Sequence, residues 1–203
     1  MEEFLMGITL FFTLFLTIRA VRLYRSYKGS FYSVLFPSFL EYFFKYEVQK
    51  DCSKSSFLKS AIGTQRMLFS IVKNEKGAVT HRFVSIVYNK GVAMISFLSP
   101  RGQVRANQNE KYWTVKSEGS QPEYRIVSPE LALNEYRRRF EQLIPDSEIR
   151  MYIAVGDALD LSGIKSDLPV LHYKDIISAL KSADAPYISE EMIVEEFAKL
   201  SRK

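Results

Sequence analysis

The chain has 203 residues, 47% hydrophobic and 25% charged, with a net charge of +5, a composition that excludes a disordered chain and suits one ordinary domain beside any anchor. Cys52 is its one cysteine, which excludes an intramolecular disulfide framework and a cysteine metal knuckle and fits a reducing compartment. The charge is uneven: residues 53–111 carry ten Lys/Arg against two Asp/Glu, and residues 112–203 carry twelve against sixteen, so a middle suited to phosphates or anionic lipid precedes an acidic end.

Residues 4–18 (FLMGITLFFTLFLTI) contain no charge. If Arg19 and Arg22 snorkel, the run extends through Leu23 and spans about 30 Å at 1.5 Å per residue. Glu2 and Glu3 precede it, and Arg19, Arg22, Arg25 and Lys28 follow it, so the positive-inside rule places the following side in the cytoplasm. The run lacks the basic start and small-residue cleavage site of a secretory signal, which favours a retained anchor. The expectation is a single-pass protein of the cell membrane, with residues 1–28 as anchor and basic flank. Residues 29–66 form a juxtamembrane helical region. Its apolar stretch 31–44 is interrupted by Pro37 and Glu41 and is too short to span. It reads as an interfacial or core-packing helix that shares Phe39, Leu40, Phe43 and Phe44 on one face and runs to about Lys50.

From residue 67 the pattern becomes that of a folded domain, 67–203. Strands are predicted at 67–73, 79–88 and 92–98, with turns at Asn74-Glu75-Lys76-Gly77 and Asn89-Lys90-Gly91. Short strands follow at 103–105 and 112–116. Ser128 and Pro129 open a helix through Ile144, with Leu131, Leu133, Tyr136, Phe140 and Leu143 on its apolar stripe. Strands at 151–155 and 170–173 and helices at 175–181 and 189–200 close the chain. The order predicts a mixed α+β fold, a central mixed sheet flanked by helices.

The stretch 67–200 resembles the nuclease-related (NERD) domain of bacterial proteins, a branch of the restriction-endonuclease-like superfamily. The resemblance rests on the strand–turn–strand at Asn89-Lys90-Gly91, on Arg101-Gly102-Gln103-Val104, and on the segment Asn107-Gln108-Asn109-Glu110-Lys111-Tyr112-Trp113 with its single tryptophan. It rests also on Tyr124-Arg125-Ile126-Val127-Ser128-Pro129 leading into a helix, and on the closing strand and two helices. The family implies a restriction-endonuclease-like sheet. It also implies a Mg²⁺ site built from an Asp before the glycine turn and a Glu-x-Lys after it. Aligned on Gly91 and Gly102, the Asp position falls at Phe83, the Glu position at Ser96 and the Lys position at Leu98. The helix's expected Asn before proline is Ser128, and its Gln-Asn pair falls near Ala132 and Leu133.

The residues themselves argue the same way. Residues 79–98 contain no acid, and 53–111 contain only Glu75 and Glu110, whereas Mg²⁺ needs hard oxygen ligands, usually carboxylates. No catalytic residue, metal ligand or small-molecule cofactor is assigned. His81 and His172 each stand without a second ligand at metal spacing. His81 and Ser85, four residues apart on a strand, are separated by roughly 13 Å, too far for direct activation. Arg101, Arg105, Lys111 and Trp113, with Tyr112, form the candidate nucleic-acid-binding cluster, by phosphate contact and base stacking. A core tryptophan beside loop arginines is the competing reading. Arg137, Arg138 and Arg139 spread around a helix toward solvent or lipid headgroups. The expected function is a membrane-anchored NERD-like module that has lost its metal site and binds nucleic acid or a protein partner. The alternatives are an active nuclease with relocated acids (Glu47, Asp51, Glu75 or Glu110) and a structural subunit of a membrane assembly that uses 31–44 as its partner surface.

Overall fold

The structure, a computed structural model, describes residues 2–73, 76–100, 102–108, 110–116 and 122–202. Helix α1, Glu2–Tyr27, opens on Glu2 and Glu3, is uncharged around its whole circumference over residues 4–18, and is basic in its last turns. Its segment Met6–Tyr27 is long and apolar enough to cross a membrane, a profile that a signal sequence shares, and none of it is covered by the rest of the protein over its most apolar window.

Gly29, at φ +73°, turns the chain into α2, Phe31–Leu35. Instead of one helix to Lys50, the chain breaks at residues 36–38, because Pro37 lacks an N–H and disfavours a helical residue before it. Ser38 then caps α3, Phe39–Tyr42, which passes into a π-helical turn at Phe43–Val48. Helix α4, Ser56–Ile62, follows, with the Ser55 hydroxyl accepting from the Leu58 N–H at 3.2 Å. The region 29–66 packs inward: Phe31, Leu35, Phe36, Leu58 and Ile62 are buried in one cluster with Val84, Ile86 and Ile95 of the sheet.

The five-stranded sheet runs in the order β1-β2-β3-β7-β8. Its members are β1 Gln65–Lys73, β2 Val79–Tyr88, β3 Gly91–Leu98, β7 Ile149–Val155 and β8 Val170–His172. The first three strands are antiparallel, whereas β3, β7 and β8 are parallel. The β2–β3 hairpin turns on Asn89-Lys90, and Gly91 is there for want of room. Its φ is +92°, and a Cβ would stand 2.5 Å from the Glu148 carbonyl oxygen.

Between β3 and β7 the chain inserts a three-stranded antiparallel sheet, β4 Gln103–Arg105, β5 Tyr112–Lys116 and β6 Tyr124–Val127, and then helix α5, Pro129–Leu143. After β8, a 3-10 turn at Tyr173–Asp175 leads to α6, Ile176–Ser182, and α7, Glu190–Ser201, closes the domain.

The result is three layers. Helices α2, α4 and α6 cover one face of the large sheet. Helices α5 and α7 and the small sheet cover the other, through Leu133, Phe140, Ile193, Leu200, Val104, Trp113 and Val115. The α5 stripe is narrower than its spacing predicts. Leu133 and Phe140 are buried, but Leu131 and Leu143 are exposed, because the helix lies on the sheet along one line of contact. Ser128 stands at the N-cap position with Pro129 at N1, yet its hydroxyl caps nothing.

Candidate functional site

The positions at which the resemblance to the nuclease-related domain would place metal ligands come together here. Phe83 and Ser96 are direct cross-strand partners on β2 and β3. Leu98 lies two residues beyond Ser96 on the same face, since side chains alternate along a strand. What converges is chemically inert. Phe83 is buried, with its ring edge-to-face on Tyr136 of α5 at 4.5 Å. The Ser96 and Ser85 hydroxyls are buried without a hydrogen-bond partner. A phenyl ring and an isobutyl group offer no lone pair to a cation and the Ser96 hydroxyl offers no charge, so these positions do not fit the Mg²⁺ that the resemblance implies. Among the described residues, no group of three His, Cys, Asp or Glu is placed to hold a metal ion.

The acids considered for relocation are scattered. Glu47 lies on the π-helical turn, 3.6 Å from the Lys50 ammonium. Asp51 accepts from the Ser53 N–H and hydroxyl, which hold its carboxyl below the usual range. Glu110 accepts from Asn107 at 2.9 Å in the loop before β5. Glu75 lies outside the described residues, as do Asn74 of the predicted turn and Asn109.

His81 is buried in β2 with both ring nitrogens unpartnered, and burial pushes its pKa down, so it is neutral. His172 ends β8 with Nδ1 3.4 Å from the Gly156 carbonyl oxygen, a positioning contact at the sheet rim.

The basic cluster is partly assembled and partly corrected. Trp113 is 1% exposed, packed between the small sheet and the large one. It cannot stack on a base, and the competing core reading is the right one. Arg101 lies outside the described residues. Arg105 is exposed on β4, and Lys111 is exposed just before β5, its ammonium 5.6 Å from the centre of the Tyr112 ring.

The register adds residues that spacing alone does not suggest. Arg105 pairs with Thr114, and Thr114 pairs with Arg125 of β6, so two arginines flank a threonine in one row across three strands. Lys116 lies two residues along β5 from Thr114 on the same face, and Tyr112 two residues the other way. Arg105, Arg125, Lys116 and Tyr112 are all exposed, and none of the three cations is in an ion pair among the described residues. Glu123, one residue before β6, is the adjacent acid. Arg125 is missed from sequence because 124–127 reads as the lead into a helix. Its alternation, Tyr124 and Ile126 on one face and Arg125 and Val127 on the other, spans only four residues, too few to mark a strand. Arg137, Arg138 and Arg139 are exposed on α5, and Arg137 is already bound to Glu141 at 2.7 Å.

A second surface surrounds the root of α1. Phe39 packs edge-to-face on Tyr24 at 5.3 Å and lines a groove with Thr17, Val21, Arg25 and Lys28. The first turn of α3 therefore lies alongside the last three turns of α1. Leu40, Phe44 and Val48 are exposed at successive four-residue steps. The opposite side, through Tyr42, is core, so Leu40 and Phe44 part from Phe39, which faces α1. The carboxyl ends of β3 and β7 lie at this same end, since Gly29 lines a cleft with Ser99, Gly156 and Asp157. No family model, curated protein or solved structure matches the chain.

Proposed function

We propose that this chain is a membrane-anchored binding module that holds a polyanion, in the first place single-stranded nucleic acid, on the outer face of its small sheet. Its scaffold is the restriction-endonuclease-like one of the NERD family, with the metal site lost. The observation that carries the reading is the Arg105–Thr114–Arg125 row with Lys116 and Tyr112 beside it. It joins unpaired cations and an exposed ring on one rigid face, the combination that grips a backbone and stacks a base. The scaffold assignment is supported by the β2–β3 register. That register sets the Asp and Glu-x-Lys positions of the family side by side, and the chain fills them with Phe83, Ser96 and Leu98.

Retention of α1 as an anchor is supported at its root. Tyr27 is buried, its hydroxyl donates to the Phe36 carbonyl, and its ring lies 4.9 Å from that of Tyr42. Cleaving the helix away would remove a core residue. With α1 inserted and Arg19, Arg22, Arg25 and Lys28 on the cytoplasmic side, Leu40 and Phe44 lie at headgroup depth, where an apolar stripe is stable.

The test uses the full chain in lipid nanodiscs, titrated with labelled single- and double-stranded oligonucleotides over a salt series, with and without Mg²⁺. Binding without cleavage is expected. Its logarithmic salt slope should be about −2 for single strands if three cations each meet a phosphate, and it should be abolished in Arg105→Glu/Arg125→Glu. Metal-dependent cleavage, or binding indifferent to that double variant, overturns the reading.

A further inference from the structure

Beside the root of α1 lies a cavity of about 410 Å³ that the polyanion reading does not use. Its walls come from Ser26 of α1, Ser30 before α2, the aromatic side chains of α2, α3 and the π-helical turn, Arg82 of β2, the end of β3 and Tyr173 of the 3-10 turn. The volume is that of a small-ligand site. The position, outside the carboxyl ends of parallel strands, is where open sheets with helices on both faces place their ligands.

The lining has two poles. Arg82 is its one cation, and it makes no hydrogen bond or ion pair among the described residues. Glu47 is its one carboxylate. It accepts from the Tyr42 hydroxyl at 3.4 Å and has Lys50 at 3.6 Å, a lysine that is itself 70% exposed. Between the poles stand Tyr32, Tyr42 and Tyr46, with the Tyr32 and Tyr46 hydroxyls 3.0 Å apart. Burial, then its partner Tyr46, raises the Tyr32 pKa, so this phenol stays protonated. A guanidinium answers a phosphate. A carboxylate beside aromatic rings answers an ammonium, above all a quaternary one.

We propose that this cavity binds the zwitterionic phosphate–ammonium headgroup of a phospholipid, with the phosphate on Arg82 and the ammonium against Glu47 and the tyrosines. The lipid as source rests on the reading of α1 as a membrane helix, since only then does Ser26 stand at headgroup depth. The cavity chemistry does not depend on that reading, and the two are tested separately.

The full chain in maltoside micelles is titrated by calorimetry with phosphocholine, inorganic phosphate and tetramethylammonium. Phosphocholine is expected to bind, and the two half-ligands at least tenfold more weakly. Arg82→Ala and Glu47→Gln should each weaken phosphocholine about tenfold or more while leaving the denaturation midpoint unchanged. No binding, or phosphate binding as well as phosphocholine, overturns the zwitterion site. The same titration is then made in nanodiscs of phosphatidylglycerol alone and of phosphatidylcholine. Weaker apparent binding in the phosphatidylcholine discs shows that bilayer lipid already fills the cavity. Equal binding in both overturns the lipid as source.

Discussion

The two sheets of this domain are built from similar strands but covered differently. The five-stranded sheet is packed on both faces, and its central hairpin, β2–β3, sets Phe83, Ser85, Met94 and Ser96 in the core. The three-stranded sheet is covered on one face, by Val104, Trp113 and Val115 against the large sheet, and leaves Arg105, Lys116 and Arg125 to solvent on the other. Water and ions are thus excluded from the hairpin face that holds Phe83, Ser85 and Ser96, and a polyanion is admitted on the small sheet. To hold a metal, the covered hairpin would have to be opened. Here Phe83 and Tyr136 close it.

The sharpest way to break that comparison is to put a carboxylate back. Phe83→Asp removes a buried ring and strands a charge in its place, with an expected cost of about 4–5 kcal/mol or more. That is comparable with the whole stability of a domain, about 5–15 kcal/mol. Chemical denaturation of the full chain in micelles should find Phe83→Asp unfolded or nearly so, and Phe83→Leu within about 1.5 kcal/mol of the parent. A stable Phe83→Asp protein that takes up Mg²⁺ would mean that the hairpin is an open site.

His81 tests the same burial through pH. Desolvation depresses its pKa in the folded protein below the value of about 6.5 that it has unfolded. Between those two values the unfolded chain binds the extra proton, so stability rises with pH there. The contribution is complete above about pH 6.5 and is lost as pH falls toward the folded-state pKa. Denaturation midpoints of the parent and of His81→Leu should therefore differ in pH dependence below about pH 6.5 and run parallel above it. Parallel curves at pH 5 would show a solvated imidazole.

Smaller still is the effect expected at Ser96. Its hydroxyl is buried without a partner, and an unsatisfied hydroxyl in a core is worth removing. Ser96→Ala should raise the unfolding free energy by about 1 kcal/mol. A loss of stability of that size would reveal a bound water between Ser96 and Ser85.

Most of the fold is legible in the sequence, because the strands and helices that pack on one another carry strong periodicity. Strands β2, β4 and β5 and helices α5, α6 and α7 lie within a residue or so of where alternation, turn chemistry and caps put them. The failures share a cause. Helix α4 and strand β6 are short, and four residues such as Tyr124–Val127 do not complete enough periods to be read. The break at 36–38 depends on Pro37 and on a core that pulls Phe36 inward, which is a tertiary effect. The site inherits these failures. Trp113 and Arg105 stand close in sequence but point to opposite faces of the small sheet, and Arg125 enters the row only through a pairing that no local pattern states.

Arg125 is therefore the residue on which the comparison can be refined most cleanly. It is exposed on β6, makes no ion pair among the described residues, and contributes nothing to the core. Arg125→Ala should leave the denaturation midpoint where it is, since surface substitutions away from packing and caps cost almost nothing. If the outer face of the small sheet grips a phosphate backbone, the same substitution weakens single-strand binding uniformly across sequences. It also lowers the magnitude of the salt slope by about 0.7, the share of one phosphate contact. A change that depends on base sequence would instead place Arg125 on a base edge. An unchanged slope would move the contact away from the Arg105–Thr114–Arg125 row, leaving the exposed arginines of α5 as the cations to test next.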